Sequence, residues 1–216
     1  MIHLITSFYI SRSNLELNDA RNEELRQCLL NNLNNDFIEK IHLFIDDDEA
    51  LQYIHTLNNS KINIISVGIK PLYSDLFGYA IYHLQDKICM ICNSDIYLHS
   101  CDINILNKLY EPNTIFALTR FEHNMSRIQI KRFKGSHDAF IFKSPIDSSI
   151  IDKIKHVQHH WGSENIVLYE LEEIHMKIYN PCYQIVIVHL HKSNLRENNR
   201  PTINYTRSRV CYPSIL

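Results

Sequence analysis

The 216-residue sequence predicts an α/β protein with a central, mostly parallel sheet of about six strands flanked by helices. Two observations lead to this prediction. Over roughly the first hundred residues, β-branched apolar segments alternate with segments of helical period, as expected for parallel strands joined by right-handed crossovers. The segment Ile88–Cys92 has an apolar or thiol side chain at every position, which is typical of a strand covered on both faces.

The first half of the chain alternates regularly between strands and helices. Strands are predicted over residues 2–10, 40–45, 62–67 and 88–92, and helices over residues 19–32 and 49–57 and from an N-cap at Ser74. An acidic run that begins at Asp46 follows the second strand. It fits a helix N-terminus, where carboxylates meet the positive end of the dipole, better than a ribose or metal site.

The second half is less regular. A helix is predicted over residues 102–110, strands over 114–120 and 139–142, a weakly alternating segment over 128–133, helices near 147–154 and over 164–176, and a last strand over 183–191. Ser163 is the predicted N-cap of the second of these late helices. No internal repeat or domain-sized linker is present, so one domain is expected over residues 1–216, with an irregular tail at 192–216.

Composition and charge argue against several classes of protein. The formal net charge is −2 with no basic block, so neither nucleic acid nor an anionic membrane is an expected partner. No segment has the approximately 20 apolar residues of a membrane span, and the N-terminus does not resemble a signal peptide, so a cytoplasmic location is expected. Cys89 and Cys92, three apart on one strand, point to opposite faces and do not form a metal or redox pair. With only four glycines, glycine-rich phosphate loops are not expected.

Asn93, Ser94 and Asp95 directly follow the buried strand. Ligands of open α/β sheets bind outside the carboxyl ends of the strands, so these side chains are well placed to meet one. Because Asn93 and Asp95 are two residues apart, both are expected to reach one point, and their oxygens suit Mg²⁺ or Mn²⁺ that also binds substrate phosphates. The alternative is an Asx-turn that only closes the strand.

The order of the motifs resembles that of the GT-A class of nucleotide-sugar glycosyltransferases. It comprises a βαβ half, the Asn93-Ser94-Asp95 corner, a strand preceded by Gly135-Ser136-His137-Asp138, a helix start at Gly162-Ser163-Glu164-Asn165, and a final strand that ends in His189-Leu190-His191-Lys192. Length and layout are most similar to the small glycosyltransferases encoded by large chlorella viruses. The resemblance implies a GT-A-like fold and transfer of a hexose or deoxyhexose, such as glucose or rhamnose, from a UDP-sugar to a glycan. It also implies a viral capsid glycoprotein as the acceptor and the host cytoplasm as the location.

The resemblance further implies binding roles for particular residues. In this class a DxD-type motif binds Mn²⁺ or Mg²⁺ and, through the metal, the donor diphosphate. Asn93, Ser94 and Asp95 occupy that place, with Asn in place of the first Asp, so Asp95 is the charged ligand. The remaining implied residues are His189 and His191 as further metal ligands, Thr6, Ser7 and Tyr9 for uracil and ribose, and Lys192 and Arg196 for the leaving diphosphate.

Asp138 and Glu164 are the candidate catalytic acids. An acceptor hydroxyl needs a general base within hydrogen-bond reach. We favour Glu164 as the base, because inverting members of the class often keep an acid at this helix start. Asp138 is also a candidate for binding the hydroxyls of the donor sugar. The alternative role for Glu164 is that of a carboxylate in the first turn of its helix, where it interacts with the helix dipole and takes no part in catalysis.

Two other functions fit part of the pattern. A sugar-1-phosphate nucleotidyltransferase uses a glycine-rich loop after the first strand, but residues 7–13 contain no glycine. A catalytically inactive nucleotide-binding or scaffolding domain is favoured by Asn93 standing where the class has Asp. Hydrolysis of a donor in the presence of Mn²⁺ separates an enzyme from an inactive domain.

Overall fold

A computed structural model describes residues 1–12, 15–125, 135–158, 160–192 and 206–216. Its strands are β1 (Ile2–Ser7), β2 (Ile38–Ile45), β3 (Ile62–Ser66), β4 (Ile88–Cys92), β5 (Ile96–Cys101), β6 (Thr114–Leu118), β7 (Phe121–Glu122), β8 (Ala139–Lys143), β9 (Lys177–Tyr179) and β10 (Ile185–His189). Its α-helices are α1 (Leu15–Leu33), α2 (Asp48–Leu57), α3 (Tyr73–His83) and α4 (Ser163–Glu173), and 3₁₀ helices cover Ile103–Tyr110 and Ser148–Ile150. None of the helices in these ranges is long and apolar enough to cross a membrane.

The main sheet has seven strands in the order β3-β2-β1-β4-β8-β6-β9. Strands β3, β2, β1 and β4 are parallel to one another, β8 lies antiparallel between β4 and β6, and β9 is parallel to β6. The predicted α/β class and the mostly parallel central sheet are therefore confirmed, with seven strands in place of about six.

Both faces of this sheet are covered by apolar clusters. Every residue of β4 is buried, as its unbroken apolar sequence predicts. Met90 packs in the cluster that contains Leu25 of α1, and Ile91 packs in the cluster that contains Phe77 of α3. Cys89 and Cys92 belong to different clusters, which confirms that they point to opposite faces.

The two serines predicted as N-caps do not cap their helices. Helix α3 begins after Leu72, whose backbone N–H donates to Asp75 Oδ2 at 2.8 Å, and Ser74 is buried in the first turn. Helix α4 begins after Gly162, which has a φ of 83°, a conformation that favours glycine. The Ser163 hydroxyl instead donates to two carbonyls of the preceding loop, so it stabilises the loop and leaves the first turn uncapped.

The acidic run after β2 begins a helix, in agreement with the preferred interpretation. Asp47 is the N-cap of α2, and its Oδ1 accepts from the Ala50 backbone N–H at 2.8 Å. Its Oδ2 accepts from the Ile10 backbone N–H at 3.1 Å. Asp47 therefore connects the start of α2 to the segment that follows β1.

The last predicted strand lies in a second sheet. Residues 183–191 were expected to form one strand, but β10 is shorter and pairs in a three-stranded sheet of order β5-β10-β7. The predicted helix near residues 147–154 is reduced to the 3₁₀ helix Ser148–Ile150. The alternating segment 128–133 lies outside the described residues. Of the predicted tail, residues 206–216 contain no helix or strand, and 193–205 lie outside the described residues.

Candidate functional site

A cavity of about 540 Å³ opens where β1 and β4 end. Its walls come from the turn after β4, the loop before β8, the start of α4 and the end of β10. The predicted site residues that line it are Ser7, Tyr9, Asn93, Ser94, Asp95, Asp138, Glu164, His189 and His191. The structure thus brings most of the candidates to one place.

The Asn93 and Asp95 side chains have different partners, and the expectation that both reach one point stays a prediction. The Ile96 backbone N–H donates to the Asn93 carbonyl at 3.1 Å, so residues 93–96 form a turn in which the alternation of a strand is lost. The Asn93 amide donates to Glu164 Oε1 at 3.4 Å. The Ser94 hydroxyl lies 2.9 Å from that of Ser7. Only Asp95 faces the two late histidines.

Asp95, His189 and His191 form a compact group of potential metal ligands. Asp95 Oδ2 lies 3.1 Å from His189 Nε2 and 3.7 Å from His191 Nδ1. One ligand atom from each residue lies within 4.8 Å of the others. Adjacent positions around an octahedral ion with bonds of about 2.1 Å are about 3.0 Å apart, so the first of these separations matches shared coordination.

Two buried polar atoms of residues that line the cavity have no hydrogen-bond partner among the described residues. They are His191 Nε2 and Asn93 Oδ1. Leaving such an atom unsatisfied typically costs about 1–3 kcal/mol, so its presence at a cavity indicates that a ligand completes the site. A carboxylate with two imidazoles suits Mn²⁺ better than Mg²⁺, because imidazole favours transition-metal ions. The residues therefore fit a divalent metal ion.

Arg21 of α1 also lines the cavity, although no pattern in the sequence singles it out. Its Nη2 donates to Asp95 Oδ2 at 2.7 Å, and its Nη1 donates to Glu24 Oε2 at 3.1 Å. Burial by itself raises the pKa of Asp95, but the contacts with His189 and His191 and the Arg21 charge hold that pKa well below its ordinary value. Asp95 is therefore ionised, and its charge is paired with that of Arg21.

The His189 ring lies between two carboxylates. Its Nε2 faces Asp95, and its Nδ1 donates to Glu122 Oε2 at 3.2 Å. Burial lowers the pKa of His189, but the two carboxylates outweigh burial and raise it to about 9. The hydrogen bond from His189 in turn lowers the pKa of Glu122 to about 2. Glu122 was also missed, because the two-residue strand β7 has no recognisable sequence pattern.

Asp138 and Glu164 lie on another part of the cavity wall. Asp138 Oδ1 accepts from Arg120 Nη1 at 2.7 Å, and its other oxygen accepts from the Ser136 hydroxyl. Burial, and next the charge of Asp138, raise the pKa of Glu164 to about 8, against the opposing effect of the Asn93 amide. A carboxyl with such a pKa exchanges a proton near neutral pH, as a general acid or base must.

Only some of the residues predicted to bind uracil, ribose and the diphosphate line the cavity. Thr6 is buried, and its hydroxyl donates to the Cys92 carbonyl at 2.9 Å, so it ties β1 to β4 and does not line the cavity. Tyr9 also lines an adjoining cavity of about 210 Å³ together with Asp46. Lys192 is exposed and does not line either cavity, and Arg196 lies outside the described residues.

No protein-family model matches the sequence, and no curated protein matches it. Among solved structures, residues 1–349 of TarS from S. aureus are similar, with a TM-score of 0.57, 9% identity, and coverage of 87% of this chain and 60% of that one. A mannosyltransferase from Pyrobaculum calidifontis, in complex with GDP-Man and Mn²⁺, has a TM-score of 0.56, 11% identity, and coverage of 92% and 58%. A putative nucleotide-diphospho-sugar transferase from Desulfovibrio desulfuricans G20 has a TM-score of 0.51, 11% identity, and coverage of 83% and 78%.

At these identities the likeness is one of fold. The three proteins have GT-A folds, so the predicted GT-A-like fold class is confirmed. The chain spans only 60% and 58% of the lengths of the first two.

Proposed function

We propose that this chain is a metal-dependent glycosyltransferase that moves a sugar from a UDP-sugar to a glycan acceptor. One observation carries the proposal: a single cavity contains both the Asp95–His189–His191 group and the acids Asp138 and Glu164. The first suits a metal-bound diphosphate, and the second suits removal of a proton from an acceptor hydroxyl. The nucleotide-sugar transferases of similar fold support it.

The donor diphosphate is proposed to bind beside Asp95. Asp95, His189 and His191 would hold Mn²⁺ or Mg²⁺, and such an ion neutralises the charge that develops on the departing nucleoside diphosphate. Arg21 lines the same cavity and adds a permanent positive charge at this end. Its enclosed position suits this role better than the exposed Lys192.

The nucleoside is proposed to occupy the adjoining smaller cavity. Tyr9 lines both cavities and offers an aromatic face to uracil. Asp47 is already engaged with the start of α2 and with Ile10, so Asp46 is the better candidate for the ribose hydroxyls. Ser7 lies at the junction of the two cavities. The donor sugar, a hexose or deoxyhexose, would then extend from the diphosphate toward Asp138.

The acceptor is proposed to approach Glu164. As its hydroxyl oxygen forms a bond to the anomeric carbon, Glu164 takes up the hydroxyl proton and the bond from the anomeric carbon to UDP breaks. Asp138, held by Arg120 and Ser136, would bind hydroxyls of the donor sugar. Trp161 lines the cavity and is 48% exposed, and its flat face suits an acceptor glycan such as that of a viral capsid glycoprotein.

An inactive nucleotide-binding domain is the second candidate function. The observation in its favour is that Asp95 is already ion-paired with Arg21, while the Asn93 amide donates a hydrogen bond to Glu164 Oε1. Such a domain would bind a nucleotide but would not release UDP from a UDP-sugar.

UDP is expected to raise the melting temperature of the protein in Mn²⁺ and to do so much less in EDTA. A ligand that binds only the folded state adds about 2.7 kcal/mol of stability at a hundredfold excess over its Kd. Thermal unfolding with UDP, GDP and uridine measures the effect, and uridine, which has no phosphates, is the control. An equal shift of the melting temperature in Mn²⁺ and in EDTA would contradict the metal assignment. A shift with GDP but not with UDP would contradict the proposal that the donor is a UDP-sugar.

A further inference from the structure

We propose that Glu122 is a positioning residue that fixes the His189 imidazole for metal binding. The inference rests on the proposed function, because Glu122 would orient His189, one of the metal ligands that this function requires. Glu122 would hold the ring with a proton on Nδ1, so that Nε2 alone is presented to a metal beside Asp95.

The pairing of the small sheet places these residues side by side. Strand β10 pairs parallel to β7 with His189 opposite Glu122, and antiparallel to β5 with His189 opposite Ile96. The Leu190 backbone N–H donates to the Asp95 carbonyl at 2.9 Å. Asp95 and Glu122 therefore flank His189 through backbone pairing as well as through their side chains.

A histidine binds a metal through a ring nitrogen that carries no proton. The hydrogen bond made by the other nitrogen decides which nitrogen that is. Because Nδ1 of His189 donates to Glu122 at 3.2 Å, the nitrogen that can give up its proton and bind a metal is Nε2, which lies 3.1 Å from Asp95 Oδ2. Without Glu122, the ring is free to carry its proton on either nitrogen and to turn away from Asp95.

The Glu122 carboxylate is itself held in place. Its Oε1 accepts from Arg120 Nε at 3.1 Å, and Arg120 Nη1 donates to Asp138 Oδ1 at 2.7 Å. A continuous series of ion pairs therefore joins Asp95 to Asp138 through His189, Glu122 and Arg120. This arrangement aligns the proposed metal ligand with the acid that would bind the donor sugar.

Titration with Mn²⁺, followed by electron paramagnetic resonance, tests the inference without any assay of turnover. Glu122→Ala is expected to weaken Mn²⁺ binding by about 10–100-fold, the usual effect of removing a partner behind a metal ligand. Glu122→Gln should retain most of the affinity, because its carbonyl still accepts the Nδ1 proton. Glu111→Ala is the matched control, since Glu111 is an exposed carboxylate paired with Lys108 and does not line the cavity.

A folded Glu122→Ala protein with wild-type Mn²⁺ affinity would overturn the inference and leave the proposed function intact. A wild-type protein that binds no Mn²⁺, with or without UDP, would overturn both. If Glu122→Ala does not fold, ¹H–¹⁵N NMR correlations of the His189 imidazole, recorded on the Mg²⁺ complex of the wild-type protein, test the inference instead. The expected neutral ring has its proton on Nδ1, and a proton on Nε2 would refute the inference.

Discussion

Replacing Asp95 with asparagine is expected to weaken Mn²⁺-dependent UDP binding by more than about 100-fold. Removing a residue that only hydrogen-bonds to a metal ligand already lowers metal affinity by about 10–100-fold, and Asp95 is itself a proposed ligand. Asp95 is the carboxylate of the proposed ligand group, with two imidazoles as the other members. Asparagine is preferable to alanine, because Arg21 and His189 are buried and both contact Asp95 Oδ2. Breaking a buried ion pair by removing one partner typically costs about 3–5 kcal/mol, and an amide oxygen moderates that loss.

Calorimetric titration with UDP in Mn²⁺ and in EDTA measures the loss. Asn93→Ala should weaken UDP binding only partly, since its amide contacts Glu164 and it brings no charge to the Asp95 group. Asp86→Asn is the control, because Asp86 is an exposed carboxylate paired with Lys143. Equal, small effects of the Asp95 and Asn93 changes would favour the interpretation of residues 93–96 as a turn that only closes the strand.

Replacing Glu164 with glutamine is expected to lower the rate of sugar transfer by about 10²–10⁴-fold while UDP-sugar binding is retained. The physical reason is that a general base acts on the acceptor proton and not on the bound donor. Asp138→Asn should also weaken binding of the intact donor, because Asp138 is proposed to hold the donor sugar. Calorimetry with the intact donor, beside an assay of transfer, separates the two roles.

The pH dependence provides a second test of Glu164. Burial and the charge of Asp138 raise its pKa to about 8, and a base must be ionised to accept a proton. The rate should therefore rise about tenfold per pH unit below that pKa and level off above it, and Glu164→Gln should lose this rise. Should Glu164→Gln act at the wild-type rate, Glu164 is a helix-start carboxylate, and Asp138 as base or a retaining mechanism becomes the better account.

The main sheet was predictable because its strands have strong local patterns. The apolar segment Ile88–Cys92 and the helical period of the segments around it require a sheet buried on both faces. Strands β5, β7 and β9 were not predicted. Strands β7 and β9 have only two or three residues, which are too few to show a periodicity. The membership of β10 in a second sheet depends on its pairing with β5 and β7, which only the tertiary structure reveals.

The candidate site was predictable only in part. The rule that ligands meet the carboxyl ends of strands selected Asp95, and the resemblance to the GT-A class selected His189 and His191, which lie together with Asp95. Arg21 was missed because an Arg–Glu pair three residues apart on a helix looks the same whether it faces solvent or a cavity. Glu122 was missed because its role comes from a partner 67 residues away.

Release of UDP from a UDP-sugar by the wild-type protein tests the proposed activity most directly. With UDP-glucose and other UDP-hexoses or deoxyhexoses, and with water in place of the acceptor, we expect slow release of UDP that requires Mn²⁺. That release should disappear in EDTA and in Asp95→Asn. If the protein binds UDP in Mn²⁺ but releases no UDP from any of these donors, with or without glycan acceptors, it is a nucleotide-binding domain and not a glycosyltransferase.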